Sequence, residues 1–185
     1  MSSTTNLYLY LFVWLAGLGL VVCVVWDSLR LGISPMPSSK KSFETLKEHL
    51  PVLEPGTICE LGAGWGGVVR KLTSHYPQHQ IIAYENALLS WLFLRLRFRG
   101  QSKVRITRQN FLRCPLPKAQ LYYTYLYPEG MNALSEKLKS ELQQDSILVS
   151  FTFALPGYTP SKTITLSDLY RSKIYLYELK GQPAT

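Results

Sequence analysis

Residues 58–67 read Ile-Cys-Glu-Leu-Gly-Ala-Gly-Trp-Gly-Gly, and no other stretch limits the available folds so strongly. An apolar strand that runs through an acid into alternate glycines must turn sharply. At Gly62, Gly64 and Gly66 the backbone presents no Cβ to whatever lies beyond it. Eighteen positions after Gly67, Glu85 closes a second short apolar run, Ile81-Ile82-Ala83-Tyr84. An acid at the end of the next strand can grip a pair of ribose hydroxyls. Together these features imply a site for an adenosine-containing cofactor.

The same strand-then-helix rhythm continues along the chain. Residues 57–61, 80–85, 104–107, 119–126 and 147–153 read as strands, and 65–75, 87–98 and 132–143 as helices. A helix carrying Phe43, Leu46 and Leu50 precedes them and stops at Pro51. Such alternation predicts a parallel sheet with helices on both faces. The end of the chain breaks the pattern. Residues 163–166 and 174–179 read as strands, and the stretch between them is too short for a crossover helix. Two strands joined so briefly must be antiparallel.

The front of the chain is of a different kind. Residues 7–26 contain no charge and are rich in Leu, Val and aromatics, and about 20 apolar residues suffice to cross a bilayer as a helix. The expected organisation is a transmembrane helix at 7–26, a linker at 27–39 with Pro35 and Pro37, and a folded domain at 40–185. A cleaved signal peptide would want a basic start and a small-residue cleavage site, and neither is evident. A buried core helix is seldom apolar on every face. All 20 Lys and Arg follow the run, beginning with Arg30, Lys40, Lys41 and Lys47. The positive-inside rule then puts the domain on the cytoplasmic side of a single-pass membrane protein.

The formal charge of +8 excludes little by itself. No aromatic-and-basic recognition module stands out, so no nucleic-acid partner is expected. An anionic lipid surface is the simpler partner for a tethered domain. The stretch 90–99, with Arg95, Arg97 and Arg99, reads either as a basic amphipathic element touching lipid or as a sheet-covering helix with a solvated end. Cys23, Cys59 and Cys114 lack the paired spacing of a disulfide frame or zinc site. His49, His75 and His79 are scattered, and no metal site is expected.

The spacing of the glycines decides the type of cofactor. A nicotinamide site would read Gly-x-Gly-x-x-Gly and face a pyrophosphate, whereas here the pattern is Glu-x-Gly-x-Gly-x-Gly. An acid two residues before the first glycine repels a pyrophosphate and suits a cationic amino-acid group. This combination resembles motif I of the class I S-adenosylmethionine-dependent methyltransferases. Glu85 and the closing hairpin are similar to that family over roughly residues 40–180. The resemblance implies a Rossmann-like α/β sheet of seven strands, mostly parallel with a C-terminal antiparallel hairpin. It also implies that Glu60, Gly62, Gly64 and Gly66 line the methionine part of S-adenosyl-L-methionine. Glu85 would hold the ribose and Asn110 the adenine, where the family often has an acid.

Residues 122–130, Tyr-Tyr-Thr-Tyr-Leu-Tyr-Pro-Glu-Gly, stand where that family places substrate-facing groups. No amide or acid precedes Tyr127-Pro128, which counts against methylation of a base or a glutamine. Tyrosines here are either sheet core or an aromatic wall for an amine, with Tyr127 the candidate catalytic residue. The membrane run, the Pro-acid-Gly step and Phe151-Thr-Phe-Ala-Leu-Pro-Gly-Tyr158 look similar to a smaller group. It comprises membrane-anchored lysine methyltransferases related to the ATP synthase c subunit lysine methyltransferase. Trp65 and Gly67 stand where that group tends to carry an acid and an arginine. The resemblance implies lysine N-methylation of a small protein in the same membrane. A lipid or quinone methyltransferase, or a cofactor-binding assembly factor without catalysis, would keep the same features.

Overall fold

The structure is a computed structural model that describes residues 3–31, 40–168 and 170–181. The chain divides into two compact units, 1–35 and 36–185. The first holds one helix, α1 (Ser3–Leu31), so helix extends through the first five residues of the expected linker. Positions 32–39 of that linker lie outside the described residues. The expected span at 7–26 is therefore helical. Among the described residues, however, no helix is long and apolar enough to cross a membrane. The apolar side chains that are described there are exposed, Trp14 by 79%.

The second unit is built on one seven-stranded sheet in the order β3-β2-β1-β4-β5-β7-β6. The strands are β1 (Thr57–Leu61), β2 (Gln80–Tyr84), β3 (Val104–Thr107), β4 (Leu121–Thr124), β5 (Ser146–Phe151), β6 (Lys162–Thr165) and β7 (Lys173–Leu179). The first five pair in parallel, while β7 runs antiparallel to both β5 and β6, the latter as the short connection 166–172 requires. β1 and β4 are buried along nearly their whole length, as central strands covered on both faces must be. Tyr122 and Tyr123 therefore belong to the core.

Five helices or turns cover this sheet: α2 (Lys40–Lys47), α3 (Gly67–His75), α4 (Leu88–Arg97), a 3-10 turn (Phe111–Arg113) and α5 (Pro128–Glu141). Phe43 and Leu46 of α2, Val68, Val69 and Leu72 of α3, and Leu94 of α4 join one core with Ile58, Ile81 and Tyr123 of the sheet. Phe111 and the α5 residues Met131, Leu134 and Leu138 join the other with Cys59, Tyr122 and Leu148. Alternate residues of each strand thus feed opposite layers. Several elements differ in extent from the sequence reading, β4 being four residues shorter than 119–126, and two further differences bear on the site. α5 begins four residues earlier than expected, because Pro128 takes the first helical position, where its missing N–H is no loss. The 3-10 turn at 111–113 has no apolar periodicity to announce it.

The strand order reverses between β1 and β4, and an open α/β sheet binds its ligand in the crevice at that point. Register then decides which residues meet there. Leu61 is level with Tyr84 on β2 and with Thr124 on β4, and Thr124 with Ser150 on β5. The next residues, Gly62, Glu85, Tyr125 and Phe151, consequently stand in one row at the carboxyl ends of these strands, the first three just past them and Phe151 as the last residue of β5.

Candidate functional site

Backbone hydrogen bonds hold the glycine turn against β2. The amides of Gly62 and Ala63 both donate to the Tyr84 carbonyl, at 3.1 and 2.8 Å, and Gly66 N–H donates to the Ala63 carbonyl at 2.9 Å. Gly64 and Gly66 have φ of 52° and 74°, a region costly for any residue with a Cβ. Their surroundings differ. A Cβ on Gly66 would lie 2.4 Å from Leu94 Cδ2 and 2.8 Å from Phe98 Cε2, so this glycine lets α4 approach the turn. A Cβ on Gly64 would meet nothing within 4 Å. The backbone there borders open space.

Two carboxylates flank that space. Glu85 accepts from the Gly64 amide through Oε2 and from the Ala87 amide through Oε1, each at 2.7 Å. It thereby ties the glycine turn to the entry of α4. Glu60 is only 3% exposed, and its Oε2 has no hydrogen-bond partner. Burial, with the Glu85 charge adding to it, pushes its carboxyl well above the ordinary range. A buried acid without a partner is costly unless it stays protonated or meets a cation. That orphaned oxygen and the open side of Gly64 fit the cationic donor S-adenosylmethionine. They fit a pyrophosphate poorly.

Asn110 caps the 3-10 turn, its Oδ1 accepting from Leu112 N–H at 3.0 Å. The oxygen expected to face the adenine amino group is thus engaged, and its amide nitrogen remains to donate. Cys59 is buried beneath the turn and its thiol is pushed far up by burial, which leaves it inert as a nucleophile. Among the described residues, no group of His, Cys, Asp and Glu is placed to hold a metal ion.

The other end of the row is aromatic. Tyr127, the residue before α5, packs against Phe153 at 5.7 Å between ring centroids. Tyr125 lies 5.9 Å from Phe151 and 6.4 Å from Phe153. Between the two tyrosines, Leu126 is buried, and its Cδ2 would lie 3.9 Å from a Cβ on Gly62. The cluster therefore adjoins the glycine turn. Its far wall is held by a γ-turn: Phe153 N–H donates to Phe151 O at 3.0 Å, with Thr152 at φ 73°. This turn type is rare and strained, all the more for a β-branched residue.

Three bonds hold the strained turn in place. Ser150 Oγ donates to Phe153 O at 2.6 Å, Thr152 N–H donates to Lys173 O at 2.7 Å, and the Thr152 side chain hydrogen-bonds Tyr125. That bond opposes a larger rise in the Tyr125 pKa caused by burial and by neighbouring Tyr127. Sequence reasoning singled out Tyr127, used Phe151-Thr-Phe153 only as part of a family resemblance with no role for each residue, and passed over Ser150. The signal was a Phe-x-Phe step at a strand end, and it acquires meaning only beside Tyr125.

Comparison with known proteins agrees with this arrangement. The family model for the ANTKMT methyltransferase domain matches residues 60–162, more than half of the chain. The chain belongs to that family. It is a methyltransferase, and S-adenosylmethionine is its methyl donor. A search of curated protein sequences finds no match. Among solved structures, the fold is similar to an RNA methyltransferase from Salinibacter ruber in complex with S-adenosyl-L-homocysteine (20% identity, TM-score 0.67, 80% of this chain and 97% of that one). It is also similar to the putative methyltransferase yhhF from Escherichia coli (15%, 0.66, 81% and 92%). A SAM-dependent methyltransferase from Aquifex aeolicus is another neighbour (12%, 0.62, 79% and 94%). At such identities the likeness is one of fold. The methyltransferase's own residues must carry the argument about its substrate.

Proposed function

We propose that this methyltransferase is membrane-anchored and transfers a methyl group to the side-chain amine of a lysine, in a small protein of the same membrane. The observation that carries this reading is the half-buried cluster of Tyr125, Tyr127, Phe151 and Phe153 beside the glycine turn. Aromatic faces attract an ammonium, and the same dry walls disfavour its charge once it enters. Both effects serve methylation, because an amine attacks only after losing its proton. No acid or amide of the kind that orients a base or a glutamine directly precedes Tyr127-Pro128.

When bound, S-adenosylmethionine supplies a methyl group already activated by its sulfonium. The chain then mainly positions and shields. In this reading Glu60 with Gly62, Gly64 and Gly66 holds the methionine part. Glu85 accepts hydrogen bonds from the ribose hydroxyls. Asn110 donates to the adenine ring through Nδ2. Tyr127 and Phe153 align the amine and exclude water. The exposed apolar side chains of α1 and the basic flank that follows it support the tether, with residues beyond it on the cytoplasmic side. A shared membrane would raise the effective concentration of enzyme and target.

Membranes containing the full-length chain, incubated with methyl-labelled S-adenosylmethionine, test this. Label should run with a small protein and be recovered as methyl-lysine after hydrolysis. Label in the lipid extract would transfer the assignment to a lipid or quinone. No label anywhere, with the donor still bound, would leave a cofactor-binding assembly factor.

A further inference from the structure

We infer that α4 and Trp65 form a docking surface for an anionic bilayer, which lays the cofactor turn against the lipid headgroups. This extends the membrane reading proposed above, but it rests on residues of the 36–185 unit alone.

The starting observation is that α4 is apolar on its outer side. Within the helix only Leu94 is buried; Leu88, Leu92, Phe93 and Leu96 are exposed, Leu96 by 72%. At about 100° per residue, Leu88, Leu92, Leu96 and Phe93 fill one continuous arc of about 140°. Arg95 borders that arc on one side and Arg97 on the other. Both guanidiniums fold back over rings, Arg95 over Trp91 at 5.5 Å and Arg97 over Phe93 at 5.6 Å. Stems laid on apolar surface with cationic heads at the edge are what an interfacial helix presents to headgroups. Trp65 extends the surface into the glycine turn. Its ring meets Phe93 edge-on at 5.3 Å, and its carbonyl accepts from Arg97 Nη1 at 3.4 Å.

Charge identifies the occupant. Residues 86–128 contain eight Lys and Arg and no Asp or Glu, which accounts for the whole +8; the other 12 cations are matched by the 12 acids. Besides the arginines of α4 and Arg99, Lys103, Arg105 and Arg108 on and beside the edge strand β3 are exposed. A second copy of the chain would bring these like charges face to face, which disfavours self-association through this surface. A sheet of anionic headgroups complements both parts at once: it neutralises the arginines and admits apolar side chains to a depth of about 5–10 Å.

The test uses the full chain reconstituted into vesicles, with an environment-sensitive fluorophore on Leu96→Cys. The control position, Ala133→Cys, lies on exposed α5 across the sheet. Emission at position 96 should shift to the blue in phosphatidylcholine vesicles containing phosphatidylglycerol, and not in phosphatidylcholine alone. The shift should shrink as salt is raised and vanish on Arg95→Glu with Arg97→Glu and Arg99→Glu. No shift at 96 in chain that co-floats with vesicles would overturn the docking surface while leaving the α1 tether intact. Equal shifts at 96 and 133 would also overturn it, as would a shift that follows protein concentration without anionic lipid. Chain that fails to co-float with phosphatidylcholine vesicles would instead count against the tether.

Discussion

The ends of β1 and β2 and the ends of β4 and β5 border one crevice, and they are built from opposite materials. The first pair offers backbone, two carboxylates and glycines at positive φ; the second offers rings and a strained threonine. A cationic donor needs close approach and negative charge, which glycine and glutamate supply. Under the proposed function, an amine that must shed its proton needs a dry wall. Changes on the donor side should therefore alter cofactor affinity, and changes on the aromatic side should alter turnover.

The sharpest contrast is between two glycines. Gly64→Val should abolish cofactor binding by calorimetry, while costing the fold about 1–3 kcal/mol of backbone strain. Gly66→Ala adds overlap with Leu94 and Phe98 to a similar strain and should destabilise the chain by about 3 kcal/mol or more in thermal melts. Near-normal binding by Gly64→Val would break the donor assignment.

Glu60→Gln should weaken cofactor binding about tenfold or more, roughly 1.4 kcal/mol. Its stability should move the other way. Glu60 has a raised pKa in the folded chain, so its contribution is fully present below the ordinary carboxylate value and is lost as pH rises through the folded value. The ligand-free variant should consequently be more stable than the parent at neutral pH, with a flatter profile of melting temperature against pH. Superimposable profiles would show that Glu60 is not strained by burial.

Phe153→Ala should lower kcat/KM for the methyl acceptor by about tenfold and leave cofactor affinity unchanged, since its ring lies against Tyr125 and Tyr127. A matching loss of cofactor affinity would erase the division between the two edges. The smallest effect is expected from Thr152→Gly. Removing the β-branched side chain at φ 73° should raise stability by about 1 kcal/mol, while the freed turn slows turnover. Lower stability would mean that the hydrogen bond to Tyr125 outweighs the strain.

The donor edge could be read from sequence because its residue types have few substitutes. Glycine alone tolerates the turn, and Glu60 and Glu85 are set by strand length. β1 and β3 matched the sequence reading at both ends, since each is bounded by turn residues. Asn110 was legible as a residue following β3, but its oxygen is consumed by a turn that apolar periodicity could not announce. α4 was legible as a helix, while a lipid-facing surface stayed one of two readings of it. Its leucines and Phe93 would read the same whether they faced the sheet or the solvent.

Sequence alone determined the strand-and-helix order, the antiparallel end, the cofactor type and the excess of positive charge. These follow from local spacing, backbone permissiveness and composition. Only the tertiary structure decided that Tyr125 and Tyr127 meet Phe151 and Phe153, and that α4 turns its apolar arc outward. Both depend on register and packing between segments far apart in the chain, where alternative pairings satisfy the same local pattern and the shared core selects one of them.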